Sequence, residues 1–339
     1  MMSSLRTETQ QAFVIKPRTT IRGHTGYVWN AVHLPGGRHI ITCSEDGSLR
    51  LWDLESGAQI GEDWRDVGEK AGVITIALSP NGKAVASGGR DGKVRLWDVE
   101  RREVIAKWTG HTDAVISVCW SADGERVLSA SYDRTVRVWD AEIGKTALGP
   151  ILMKTAHGGV HAARYSHDTT KIAVSGLEGD FKIWDAKTGK LLSTIEHEEI
   201  VWSLTWTSDD KKLITGSYNG FIRVFDTDTW QQIATMAGHN GGVFSLYHHN
   251  RLLVSTSFDR TARLWNLDTN LPVGPPLQHE DGVNGAAISA DGKLLATGCD
   301  DNNAYVWDIH TILENAGLED ILSSPDVSLN ASTNTLPAH

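Results

Sequence analysis

Histidine, a hydroxyl residue and aspartate recur together four times along this chain: His24 with Thr42 and Asp46, His111 with Ser129 and Asp133, His239 with Ser255 and Asp259, and His279 with Thr297 and Asp301. These are the parts of a nucleophilic triad, in which a carboxylate orients an imidazole and the imidazole takes the hydroxyl proton. Yet each hydroxyl stands four places before its aspartate, and a tryptophan (Trp52, Trp139, Trp265 or Trp307) stands six places after it. No enzyme needs four identical nucleophiles. The spacing is that of a repeated element.

Other arrangements that could do chemistry are weaker. Gly144-Lys145-Thr146 ends like a phosphate-binding loop, but Trp139 stands where its first glycine should be and no helix follows. His157 and His161 have helical metal-ligand spacing, yet they fall in a loop and a strand, and His248-His249 falls at a strand-end turn. Cys43, Cys119 and Cys299 form no CxxC pair, so neither a zinc site nor a disulfide framework is expected. No metal or cofactor is expected.

The elements that must position these residues are legible around the tryptophans. Seven copies of one phrase run along the chain: TCSEDGSLRLWD, SGGRDGKVRLWD, SASYDRTVRVWD, VSGLEGDFKIWD, TGSYNGFIRVFD, STSFDRTARLWN and TGCDDNNAYVWD. Their penultimate aromatics, Trp52, Trp97, Trp139, Trp184, Phe225, Trp265 and Trp307, are spaced by 45, 42, 45, 41, 40 and 42 residues. Within a copy, side chains alternate with the two-residue period of a strand on both sides of a DG, DR, EG or NG turn. An apolar strand such as VISVCWS precedes each hairpin and a shorter one such as REVIAKW follows it. Each unit is therefore a four-stranded antiparallel sheet. Such a sheet has two apolar faces and cannot bury them alone; packing against neighbours in a closed ring buries both and removes the exposed ends. The expected fold is all-β, a seven-bladed β-propeller of four-stranded antiparallel blades.

The recurring GH…WD pattern resembles the WD-repeat β-propeller family over residues 13–312, with 1–12 as a flexible N-terminus and 313–339 as a short helix and a disordered tail. The resemblance implies that FVIKPRTTIRGH is the outer strand of the last blade and closes the ring. It also implies a hydrogen-bond chain through His, Ser or Thr, Asp and Trp in each blade. Imidazole and hydroxyl both donate and accept while indole only donates. Together they satisfy one another where an unpaired polar group would cost ~1–3 kcal/mol. Complete sets fall in blades one, three, six and seven. Blade two carries Glu69 in place of histidine, blade four has Val174 and Glu178, and blade five has Asn219 and Phe225.

With the repeated residues assigned to scaffold, function must lie in what differs between blades. The resemblance places partner binding on the face where loops enter the blades. Three columns point there: the residues three and five after the loop histidine, and the residue before the turn aspartate. They hold Tyr27, Trp29, Tyr132, Trp202, Tyr218, Phe244 and Phe258, with Ile116, His161 and Asn284 among them and Glu45, Arg90 and Asp300 as charged points. Aromatic and arginine anchors among polar residues are the composition of interface hot spots. The expected function is a non-enzymatic scaffold or adaptor that binds a peptide or domain of one or more partner proteins on this face, monomeric by itself within a larger complex.

The aromatic rim suits an apolar or basic partner segment, and the net charge of −10 favours a basic one and repels a phosphate backbone, so nucleic acid is not the expected partner. Three other functions known in the family are weaker. An RNA- or ribosome-associated propeller would want a basic patch. An enzyme using the central channel would have only His161, Glu45, Arg90 and Asp300, which form no recognisable constellation. A ubiquitin-ligase substrate receptor often carries arginine two places after the WD aspartate, where this chain has Glu55, Glu100, Glu142, Lys187, Asp228, Asp268 and His310. The opening residues hold no apolar run of signal-peptide length and no stretch approaches a membrane span, so a cytoplasmic or nuclear, non-secreted protein is expected.

Overall fold

Seven four-stranded antiparallel sheets follow one another along the chain, and in the computed structural model each is one blade of a propeller. The structure describes residues 15–66, 68, 71–152, 159–176 and 179–322. The N-terminal 1–12, Glu69, His157, Glu178 and the tail beyond Leu322 lie outside the described residues.

Blade three shows the plan. Strands Val115–Trp120, Arg126–Ser131, Thr135–Asp140 and Thr146–Leu152 pair in sequence order. Its hairpin turn is the Asp-Arg pair, where Arg134 adopts a left-handed φ of 69° and its N–H reaches the Ser131 carbonyl at 3.2 Å. Glycine occupies the equivalent place in the first, second, fourth and fifth hairpins. Blade seven differs in connectivity. Val283–Ile288, Leu294–Cys299 and Ala304–Asp308 take their fourth strand from Thr19–Ile21, which pairs Thr19 with Val306 and Ile21 with Ala304. The N-terminal segment thus closes the ring, as the family resemblance implied.

Among the described residues, seven hydrophobic clusters each draw on two adjacent blades. Leu128, Val136, Ile172 and Val174 join blades three and four, and Ile21, Val28, Trp52 and Ala296 join seven and one. The sheet faces are apolar because every face meets a neighbour; a fully buried Val, Leu or Ile contributes roughly 1.5–3 kcal/mol. The helix Ile309–Ala316 starts directly at the last WD aspartate: Asp308 caps it by accepting from the Thr311 N–H at 3.1 Å, and Gly317 ends it at a φ of 65°. The helix therefore begins four residues before the expected boundary at 313. A 3₁₀ turn, Glu319–Leu322, follows, and Ile309, Ile312, Leu313 and Ile321 are buried against blades six and seven. Among the described residues no helix is long and apolar enough to cross a membrane.

Candidate partner-binding site at the channel mouth

The loop entering a blade is tied to that blade's hairpin by the histidine chain. In blade three, His111 Nδ1 lies 2.9 Å from Asp133 and Nε2 2.8 Å from Ser129 Oγ, which also accepts from Trp139 Nε1 at 2.8 Å. Nδ1 therefore donates to the carboxylate, and Ser129 donates to Nε2. Burial alone would raise the Asp133 carboxyl, but bonds from His111, the Thr135 hydroxyl and the Thr112 N–H outweigh it and hold it well below the usual carboxylate range. Blade one repeats the chain, with His24 at 2.8 Å from Asp46 and 2.7 Å from Thr42, and Trp52 at 2.7 Å from Thr42. Blade six repeats it with His239 at 2.8 Å from Asp259 and 2.6 Å from Ser255, and Trp265 at 2.8 Å from Ser255. Thr42, Ser129 and Ser255 are 0% exposed and already engaged, so none is placed to attack a substrate.

Blade seven departs from the expected set. His279 reaches Thr297 at 2.8 Å and Trp307 donates to Thr297 at 3.1 Å, but His279 Nδ1 bonds the Leu277 carbonyl and Asp301 accepts from the Tyr305 hydroxyl. The cause is local. Tyr305 stands where blades one, three and six carry Arg50, Arg137 and Arg263, and Asn303 replaces the hydroxyl of Ser48, Thr135 and Thr261 that elsewhere bonds the aspartate at 2.6 Å. The expected contact between His279 and Asp301 is therefore corrected to a Tyr305–Asp301 pair.

Blades that lack a member find substitutes or leave an atom unpaired. In blade two, Asp91 accepts from Arg95 at 2.6 and 3.0 Å. In blade five, His197 bonds Thr215 at 3.1 Å and the Glu199 carbonyl at 2.8 Å. In blade four, Val174 offers no oxygen, and the buried Trp184 Nε1 has no partner among the described residues.

These chains set the loop face, and backbone bonds bring the predicted columns together on it. In every blade but the fourth, whose turn lies outside the described residues, the N–H of the residue before the turn aspartate or asparagine meets the carbonyl of the residue three after the loop-histidine position. Examples are Glu45 to Tyr27 at 2.9 Å, Tyr132 to Ala114 at 3.0 Å and Tyr218 to Ile200 at 2.9 Å. Each innermost strand begins here with a register shift, as at Val28/Asn30, Val115/Ser117 and Val201/Ser203. A bulge turns two successive residues toward the channel where regular alternation would turn one. The pairs Trp29–Asn30, Ile116–Ser117, His161–Ala162, Trp202–Ser203 and Phe244–Ser245 accordingly line one cavity of about 370 Å³.

Of the residues predicted for partner binding, Trp29, Arg90, Ile116, Tyr132, His161, Trp202, Phe244, Phe258 and Asn284 line this cavity. The other four stand beside it. Glu45 accepts from Trp29 Nε1 at 2.8 Å and from Arg90, and Asp300 accepts from Asn284 at 2.8 Å. Tyr218 packs edge-on against Trp202 with centroids 5.0 Å apart, and Tyr27 edge-on against Trp29 at 6.1 Å. The aromatic wall is one-sided: Trp202 stacks on Phe244 at 4.9 Å and 17°, and Phe258 closes on Phe244 at 3.9 Å. Gly242 permits this, since a Cβ there would come within 2.4 Å of the Trp202 ring.

Three buried polar atoms of this lining have no partner among the described residues: His161 Nε2, Trp202 Nε1 and Asn284 Oδ1. Burial lowers His161 to about 4, so its ring is neutral at pH 7. Sequence reasoning missed the second residue of each bulge and also Arg164, which lines the same cavity. The signal is present as a column of small residues beside the aromatic one (Asn30, Thr75, Ser117, Ser203 and Ser245), which strict alternation alone would turn to the other face. Among the described residues no group of three His, Cys, Asp or Glu is placed to hold a metal ion.

Comparison with known proteins agrees with the architecture. The family model for the first β-propeller of IFT122 matches residues 72–274, and that for the WD domain, G-beta repeat, matches 15–53 and 275–308. The chain is 22% identical to apoptotic protease-activating factor 1 of Homo sapiens over 306 residues, covering 85% of this chain and 22% of that protein. It is 30% identical over 142 residues to the WD repeat-containing protein slp1 of Schizosaccharomyces pombe, covering 40% of this chain and 29% of that protein. It is 31% identical over 114 residues to the serine-threonine kinase receptor-associated protein of Gallus gallus, covering 33% of each. The chain thus matches at most a third of the length of these relatives. Seven blades, their GH…WD framework and a family model that spans more than half of the chain make it a member of the WD-repeat β-propeller family.

Proposed function

We propose that this protein is a non-enzymatic interaction scaffold that receives an apolar segment of a partner protein at the channel mouth. The observation that carries this reading is the cavity rim. Tyr218, Phe258 and Tyr132 are 56%, 49% and 42% exposed around a concave site that also holds three buried polar atoms without a partner among the described residues. Isolated exposed aromatics are ordinary, but a contiguous set around a pocket with unmet hydrogen bonds is the makeup of a binding site. One relative, a receptor-associated protein by name, supports the same class of role.

Affinity purification tests the proposal, comparing wild type with a Tyr218→Ala/Phe258→Ala variant and a Trp29→Ala/Trp202→Ala variant. The first pair is largely exposed and leaves the blades intact, so matched unfolding temperatures are expected for it. Loss of the same bound protein from both variants is the expected result. Retention of every bound protein by both would move the binding surface away from the channel mouth.

A further inference from the structure

We infer that the partner residue entering the channel is acidic: an Asp or Glu side chain, next to an apolar or aromatic residue, whose carboxylate reaches Arg164. This rests on the channel mouth being the docking site and names what docks there.

Among the described residues the lining carries Arg90 and Arg164 and no carboxylate, with Glu45 and Asp300 beside it, although the whole chain bears a net charge of −10. The two arginines are not equivalent. Arg90 is paired with Glu45 and lies 5.9 Å from the Trp29 ring centroid. Arg164 lies on the strand Val160–Tyr165, half-buried, and its Nη1 donates to Ser117 Oγ at 2.7 Å and to the Ala163 carbonyl at 2.9 Å. Both partners are neutral, and Arg164 makes no ion pair among the described residues. A guanidinium withdrawn from water without a counter-charge is costly, and a carboxylate meets its planar fork with two parallel bonds.

The rest of the cavity is complementary to such a group. Among the described residues Trp202 Nε1 is a buried donor lacking an acceptor, and Asn284 Oδ1 is a buried acceptor lacking a donor. An entering peptide brings carboxylate and carbonyl oxygens for the first and a backbone N–H for the second. Arg164 lies three residues beyond His161, roughly 10 Å further along the strand. The acid therefore leads into the channel, and its apolar neighbour remains between Trp202, Phe258 and Tyr132.

A phosphate group fits less well. A dianion calls for more than one free cation, and here Arg90 is already neutralised by Glu45. The expectation of a basic partner came from total charge, which salt screens beyond about 10 Å. Arg164, which has no counter-charge among the described residues, has the opposite sign.

The probe is a phage-displayed library of random twelve-residue peptides, selected on the wild-type chain. The best peptide is then synthesised and titrated against variants. Selected peptides are expected to carry Asp or Glu beside an aromatic or aliphatic residue and to lose binding to Phe258→Ala. Replacing that acid by its amide should weaken binding by about 10–100-fold, as loss of a charge-assisted hydrogen bond does. Arg164→Gln should weaken the acidic peptide equally and the amide peptide hardly at all, with Arg164→Lys intermediate. If Arg164→Gln fails to fold, the amide peptide and Arg164→Lys still decide the matter. Basic or neutral peptides that depend on Phe258 would overturn the acidic assignment and leave the docking site standing. Competition by inorganic phosphate or an oligonucleotide would also overturn it, in favour of a phosphate ligand. Peptides indifferent to Phe258, or no selected peptide at all, would overturn both readings.

Discussion

The serine or threonine hydroxyl of each histidine chain does two jobs, donating to imidazole and accepting from indole, and this makes the chain sensitive to single changes. Asp133→Ala takes the carboxylate from the His111 ring and from the Thr112 and Thr135 N–H groups, leaving His111 Nδ1 only the Thr135 hydroxyl, and is expected to cost ~1–3 kcal/mol in urea unfolding. Asp301→Ala is expected to cost less, since Asp301 holds Tyr305 rather than His279. Equal losses would contradict the difference between the two blades. Val174→Thr places an oxygen within reach of the unpaired Trp184 Nε1 and is expected to stabilise by about 1 kcal/mol, whereas the same exchange at buried Val138 is expected to destabilise. At this scale the sequence announced the columns but not every bond. Which atom a carboxylate meets depends on neighbours two and four places away, such as Asn303 and Tyr305, that the repeated phrase leaves free to vary.

Strands and turns were the most legible elements, because a two-residue period and an Asp-Gly or Asp-Arg turn are local signals. The outer strands were less so. In blade one the outer strand is only Trp64–Arg65, inside a run whose pattern is irregular. Ring closure is an element-scale property with a direct test. A chain beginning at Arg22 lacks Thr19–Ile21, which leaves the backbone of Ala304–Asp308 as an open edge and uncovers a blade interface where Ile21 is 2% exposed. A lower unfolding temperature together with self-association in sedimentation is the expected outcome; a monomer of unchanged stability would show that the closing strand contributes nothing. Ile312→Ala, in the helix that packs on blades six and seven, is expected to cost ~2–5 kcal/mol through the cavity it leaves.

Across the whole molecule, buried histidines make stability depend on pH. Burial lowers His33, His161, His197, His248 and His279 to about 4. In the unfolded chain these groups protonate near their ordinary value of about 6.5. Between the two values the unfolded state binds more protons, so acidification through that window favours unfolding. Below it, the carboxyls of Asp46, Asp133 and Asp259, held under their usual range, extend the loss. The unfolding temperature is expected to fall progressively as pH drops from 6.5 to 4. A rise over that interval would contradict the buried, neutral state of these rings.

The sequence by itself determined the number of blades, their strand order, the turn chemistry and the aromatic columns of the rim, because each is written in a period of two or of about 42 residues. The tertiary structure alone decided which side chains from different blades meet. The bulge at the head of each inner strand doubled the lining of the channel. The ring then set Arg164 of blade four against Ser117 of blade three, in a lining that among the described residues carries no carboxylate. Net charge is a sum over the whole surface, whereas the sign inside a cavity is set by the few groups that folding brings into contact.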